Sequence, residues 1–60
     1  MDIANKMLEY RAKHNLSQSK FAELCGVTTQ TVNSIENGIQ TPSKLTETKI
    51  KLVIEKGENQ

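Results

Sequence analysis

Residues 16–38, LSQSKFAELCGVTTQTVNSIENG, hold two short helical patterns on either side of one glycine, Gly26. Phe21, Ala22, Cys25, Val27, Val32 and Ile35 recur at spacings that let the two segments pack on each other. In the first segment Ser17 stands as N-cap, with Leu16 before it and Phe21 four residues on, the spacing of a hydrophobic staple. This predicts a helix over about residues 18–25, closed by Gly26, which is free to adopt a positive φ. The arrangement repeats with Val27, an N-capping Thr28 and Val32, predicting a second helix over about residues 29–37 that Gly38 ends.

Working outward, Ile3, Met7 and Tyr10 make one helical stripe between Asp2, a candidate N-cap, and about Lys13, after which His14-Asn15 breaks the pattern. On the other side, Ile39 to Pro42 read as a short loop in which Thr41-Pro42 caps a following helix with Pro at its first position. The last element runs from about Ser43 to Lys56. Its Leu45, Ile50, Leu52, Val53 and Ile54 suit a helix with a broad apolar face, yet IKLVI at 50–54 is also β-prone. Length and the closing Gly57 favour the helix. Residues 1–57 thus read as a single domain, and 58–60 as a frayed polar tail.

Sixty residues support one small core, because a chain of this length buries only about 60% of its unfolded surface. An effector domain or a catalytic cleft has little room in it. Eight Lys and Arg stand against seven Asp and Glu, a formal net charge of +1, so overall charge does not by itself announce a polyanionic partner. There is no apolar run of the length a membrane span needs, and the start MDIANK lacks the apolar stretch of a secretory signal. The expectation is a cytoplasmic protein, associated with a bacterial or phage nucleoid, with no membrane contact. One Cys and one His are too few for an internal disulfide or a structural zinc site, so no metal and no cofactor is expected.

With Val32 and Ile35 turned inward, Thr29, Gln30, Asn33 and Ser34 project from the second of the paired helices as an uncharged, hydrogen-bonding face. A helix reads the major groove of DNA with such side chains while a second helix braces its back. Gln30 is the strongest single candidate, since an amide that donates and accepts together matches the N6 and N7 edge of adenine. Thr29 and Ser34 suit a donor to a base or a contact with a thymine methyl. The bland alternative is a solvated helix face.

The same stretch resembles the Cro and phage-repressor-like helix-turn-helix proteins, also known as the xenobiotic-response-element family, whose pattern reads approximately LSQxxLAxxxGVSxxTIxxIENG. The resemblance extends to Arg11 and to Pro42-Ser43, covering roughly residues 3–45. It implies an all-α, compact lambda-repressor-like domain of four or five short helices. It also implies that Thr29, Gln30, Asn33 and Ser34 lie at or beside the base-reading positions, that Gln18, Thr28, Asn37 and the loop after it contact phosphates, and that the Gln18 side chain also bridges toward the reading helix. Arg11 and Glu36 match a scaffold pair tying the first helix to the end of the reading helix. Lys44 matches a basic position near the DNA backbone or minor groove. Lys20 stands where a capping box would have Glu or Gln, and its charge opposes the helix dipole, which suits a phosphate contact. For both lysines an ordinary surface role is the competing reading. Cys25 and His14 read as structural.

Many relatives carry a fifth helix that completes the core and helps to form a dimer, whereas this chain reaches its end soon after Lys56. The apolar residues of the last element, with Leu8, must then divide between the core and a partner. The expected function is a sequence-specific regulator of transcription that binds double-stranded DNA, a repressor from a phage, mobile element or bacterial chromosome, acting as a homodimer on DNA without a small-molecule effector domain. The alternative is a protein-interaction module, an antitoxin or adaptor, on the same fold. An enzyme is not expected, because the single His and Cys25 have scaffold explanations and there is no phosphate loop or paired acidic site.

Overall fold

The computed structural model describes residues 3–56, and these form four helices: α1 (Ile3–His14), α2 (Gln18–Cys25), α3 (Thr29–Glu36) and α4 (Lys44–Lys56). No strand occurs among the described residues, and the fold is all-α. Asp2 as a helix cap, Gly57 as a stop and the tail at 58–60 lie outside the described residues.

Local chemistry fixes the helix starts. Ser17 and Thr28 are extended, and their hydroxyls accept from the N–H groups of Lys20 (3.0 Å) and Thr31 (3.1 Å), satisfying donors that a helix leaves unpaired at its start. The third such start corrects the expectation for α4. Its cap is Ser43, whose Oγ accepts from Thr46 N–H at 3.2 Å, so Pro42 lies before the cap and not inside the helix. Ser43 repeats the hydroxyl-x-x-Thr spacing of Thr28 and Thr31, and its Oγ also donates to Thr46 Oγ1 at 3.1 Å.

The ends are set by backbone that turns left-handed. Gly26, at φ 77°, directs its N–H to the Ala22 carbonyl (2.9 Å) and the Glu23 carbonyl (3.3 Å), while Val27 N–H also reaches the Ala22 carbonyl at 3.0 Å. A side chain there would add roughly 1–2 kcal/mol of strain. At the end of α1 the left-handed residue is Asn15, φ 55°, and Leu16 N–H bonds to the Arg11 carbonyl at 2.8 Å. α3 stops at Glu36 with Asn37 as its C-cap, one residue before the expected end.

Met7, Tyr10, Phe21, Ala22, Cys25, Val32, Ile35, Ile50 and Val53 form one core, flanked by half-buried Ile3, Leu16, Leu24, Val27 and Ile54. The β-prone segment 50–54 is helical, because Ile50 and Val53, three residues apart, share the inner side of a helix. α4, about 20 Å long at 1.5 Å per residue, spans a body measuring 26 × 22 × 20 Å and packs on α1 and α2. Leu8, Leu45 and Leu52 remain outside the core; Leu45 is 67% and Leu52 51% exposed. The Tyr10 ring lies against Phe21 in the core and, at 4.3 Å between centroids, against exposed His14.

Candidate nucleic-acid interface

α3 is held from behind and open in front. Val32 and Ile35 are buried against α1 and α2, while Thr29, Gln30 and Asn33 are exposed. Ser34 is only half-buried. Its carbonyl accepts from Ile39 N–H (2.9 Å) and Gln40 N–H (3.2 Å), and Gly38, at φ 74°, gives its N–H to the Ile35 carbonyl at 3.1 Å, the bonds with which a left-handed glycine closes a helix.

One polar chain runs from the core side of the molecule to this face. Arg11 Nη1 donates to Glu36 Oε1 at 2.8 Å and to Oε2 at 2.9 Å, while Arg11 Nε donates to the Leu16 carbonyl at 3.2 Å. The Glu36 side chain is 4% exposed and that of Arg11 20%, so each needs the other: a carboxylate out of water must be paired. Gln18, at the start of α2, supplies the second support. Its Nε2 donates to Glu36 Oε1 (2.9 Å) and to Asn33 Oδ1 (3.2 Å), and Asn37 Nδ2 donates to the same Asn33 oxygen at 3.0 Å. No buried side-chain nitrogen or oxygen lacks a partner among the described residues.

Ser34 apart, the site residues singled out from the sequence therefore fall into three groups. Gln18, Asn33 and Asn37 are joined with Arg11 and Glu36 in that chain. Thr28, Thr29 and Gln30 cluster at the start of α3, with Thr28 Oγ1 also 2.9 Å from Thr31 Oγ1. Lys20 and Lys44 each occupy the first turn of a helix, where the dipole opposes a positive charge. Lys20 makes a solvent-exposed pair with Glu23 at 3.6 Å, worth at most about 1 kcal/mol; Lys44 has no ion pair among the described residues. Sequence reasoning missed the double engagement of Asn33. The readable signal was its i, i+4 spacing with Asn37 on one helix face.

Cys25 is buried, and burial pushes its thiol from 9.0 up to about 11, which keeps it protonated and unreactive near neutrality. No cluster of three or more His, Cys, Asp or Glu side chains placed to hold a metal occurs among the described residues, and no described helix is long and apolar enough to cross a membrane.

Comparison with known proteins agrees with this architecture. Residues 7–49 match the family described as helix-turn-helix, a span that takes in α2, α3 and the turn between them. The chain is 50% identical over 48 residues to the uncharacterized HTH-type transcriptional regulator YgzD of Bacillus subtilis, covering 80% of this chain and 73% of that protein. It is 46% identical over 41 residues to the uncharacterized HTH-type transcriptional regulator MJ0272 of Methanocaldococcus jannaschii, covering 68% of this chain and 62% of that protein. No solved structure gives a significant match. The chain belongs to the helix-turn-helix family, in its Cro and phage-repressor-like branch.

Proposed function

We propose that this protein is a sequence-specific regulator of transcription that inserts α3 into the major groove of double-stranded DNA and represses by occluding a promoter. The observation that carries this reading is the division of α3: an exposed face of uncharged hydrogen-bonding side chains on a helix whose back is packed and pinned. In this reading Thr29, Gln30, Asn33 and Ser34 meet the base edges, with Gln30 pairing to adenine through both ends of its amide. Thr28, Asn37, Lys20 and Lys44 meet phosphates flanking the groove. Gln18 joins them through its backbone N–H at the start of α2, because both hydrogens of its side-chain amide already serve Glu36 and Asn33.

With a front face that carries no charge, affinity rests on the flanking phosphate contacts and on pairing of two copies. A homodimer would set two α3 helices about 34 Å apart, one turn of DNA. Leu45 and Leu52, seven residues apart on α4, and Leu8 on α1 are the exposed apolar residues that suit such pairing.

The test is selection from a random double-stranded DNA library with the purified protein, followed by salt titration on the winning sequence. Enrichment of one palindromic sequence with a steep salt dependence is the expected outcome. Failure to enrich any DNA, together with capture of a protein partner through α3, would replace this reading with that of an interaction module.

A further inference from the structure

The polar chain behind α3 fixes the direction of every hydrogen bond in it. Glu36, a carboxylate held by Arg11 through both oxygens, can only accept. The Gln18 atom 2.9 Å from it must therefore be the amide nitrogen, and that same nitrogen lies 3.2 Å from Asn33. The Asn33 atom facing it must accept, so it is Oδ1, and the Asn37 atom 3.0 Å from Oδ1 must be a nitrogen. Reversing Asn33 would set its NH2 group against two NH2 groups. Its oxygen already receives two hydrogens, and its Nδ2, with two N–H donors and no partner among the described residues, is the end left for anything that approaches α3.

We propose that Arg11, Glu36 and Gln18 set Asn33 as a donor-only contact, which gives its Nδ2 hydrogens to an acceptor on DNA and cannot make the bidentate amide pairing with adenine. The acceptor is a base-edge atom such as guanine O6 or N7 or thymine O4; the same donor chemistry would also suit a phosphate oxygen, which would move Asn33 out of the base-reading set. Asn33 thus differs in kind from Gln30, whose side chain has no partner within the protein among the described residues and keeps both a donor and an acceptor to present. Two amides on one helix face read by different rules because only one is wired to a buried carboxylate. This inference rests on the DNA-binding reading above.

One substitution isolates the outward atom and a second removes the whole side chain. Asn33→Asp keeps an oxygen for Gln18 and Asn37 and replaces only the outward NH2 by oxygen, while Asn33→Ala removes the outward contact together with the bonds from Gln18 and Asn37, without adding charge. Binding of both variants to the selected DNA is measured beside thermal melting. Each duplex position is then altered in turn: methylphosphonate at phosphates, 7-deazapurines at N7, O6-methylguanine at O6 and 4-thiothymine at O4. The expected result is a loss of about tenfold for Asn33→Ala, the size of one hydrogen bond in an interface, and a larger loss for Asn33→Asp, with melting nearly unchanged. One altered position should weaken the native protein and leave Asn33→Ala indifferent; its chemistry tells a phosphate from a base. Asn33→Asp binding as tightly as the native protein, or no position coupling to Asn33, overturns the proposal while leaving DNA binding intact. A native protein that enriches no DNA fails the broader reading first and this one with it.

Discussion

Along the same eight residues of α3, Val32 and Ile35 are buried while Thr29, Gln30 and Asn33 stand in solvent, and the two sides are built on different physics. The back gains its free energy from apolar area and close packing, which any well-shaped hydrophobe satisfies in part. The front gains little from the fold, and only Asn33 among these three is tied to it, through Gln18 and Asn37. Its side chains are exposed at little cost, so their identities are free to answer to something outside the chain. Glu36 joins the two sides, since it is nearly buried yet passes its hydrogen bonding through Gln18 to the front.

The strongest way to break the contrast is at the back. Ile35→Ala empties a site that is 2% exposed and should cost about 2–5 kcal/mol. For a chain of sixty residues, whose total stability is expected at about 3–9 kcal/mol, urea unfolding should show a large fall in the midpoint or no folded baseline. A loss under about 1 kcal/mol would mean that the back of α3 is not the core contact it is here.

Next in size is the link. Glu36→Ala leaves Arg11 with only the Leu16 carbonyl and should cost about 2–4 kcal/mol. Combining Arg11→Met with Glu36→Leu should recover most of that loss, because apolar replacements of a buried pair carry no stranded charge. DNA preference should not recover with it, since Gln18 then has no carboxylate to orient it. A double variant with native stability and native preference would reduce the link to packing alone.

How much of this was legible in the sequence follows the same division. The caps at Ser17 and Thr28, the turn at Gly26 and the inward Val32 and Ile35 are local patterns, decided within four residues, and they stand in the fold where the spacing puts them. The cap of α4 was misplaced because Thr41-Pro42 and Ser43 both carry the local chemistry of a helix start, and only the path of the loop chooses between them. Ser34 is half-buried, although the helix period places it on the outer face. Arg11 with Glu36 was suggested only by family resemblance. The direction imposed on Asn33 needs four side chains from three helices and the C-cap residue Asn37 to meet; the resemblance brings Gln18 toward the reading helix and the i, i+4 spacing brings Asn37 to Asn33, but neither tells which end of the Asn33 amide is bound.

On the front itself, Gln30→Ala should change stability by no more than about 0.5 kcal/mol, as for an exposed side chain without partners in the fold. In DNA binding it should lose about 1–3 kcal/mol and relax preference at one base pair. Equal loss on all sequences would move Gln30 from base reading to backbone contact.

The smallest effect is the most diagnostic in sign. Lys44 occupies the first position of α4, is exposed, and its charge opposes the helix dipole with no described acidic side chain paired to it. Lys44→Ala should therefore raise stability slightly, by about 0.3–1 kcal/mol at low salt. If the lysine neutralises a phosphate, the same substitution should weaken every DNA site alike and lower the salt slope by roughly one counterion. A fold that improves while binding declines separates a charge kept for a partner from one that serves the helix. Improvement in stability with an unchanged salt slope would return Lys44 to the ordinary surface.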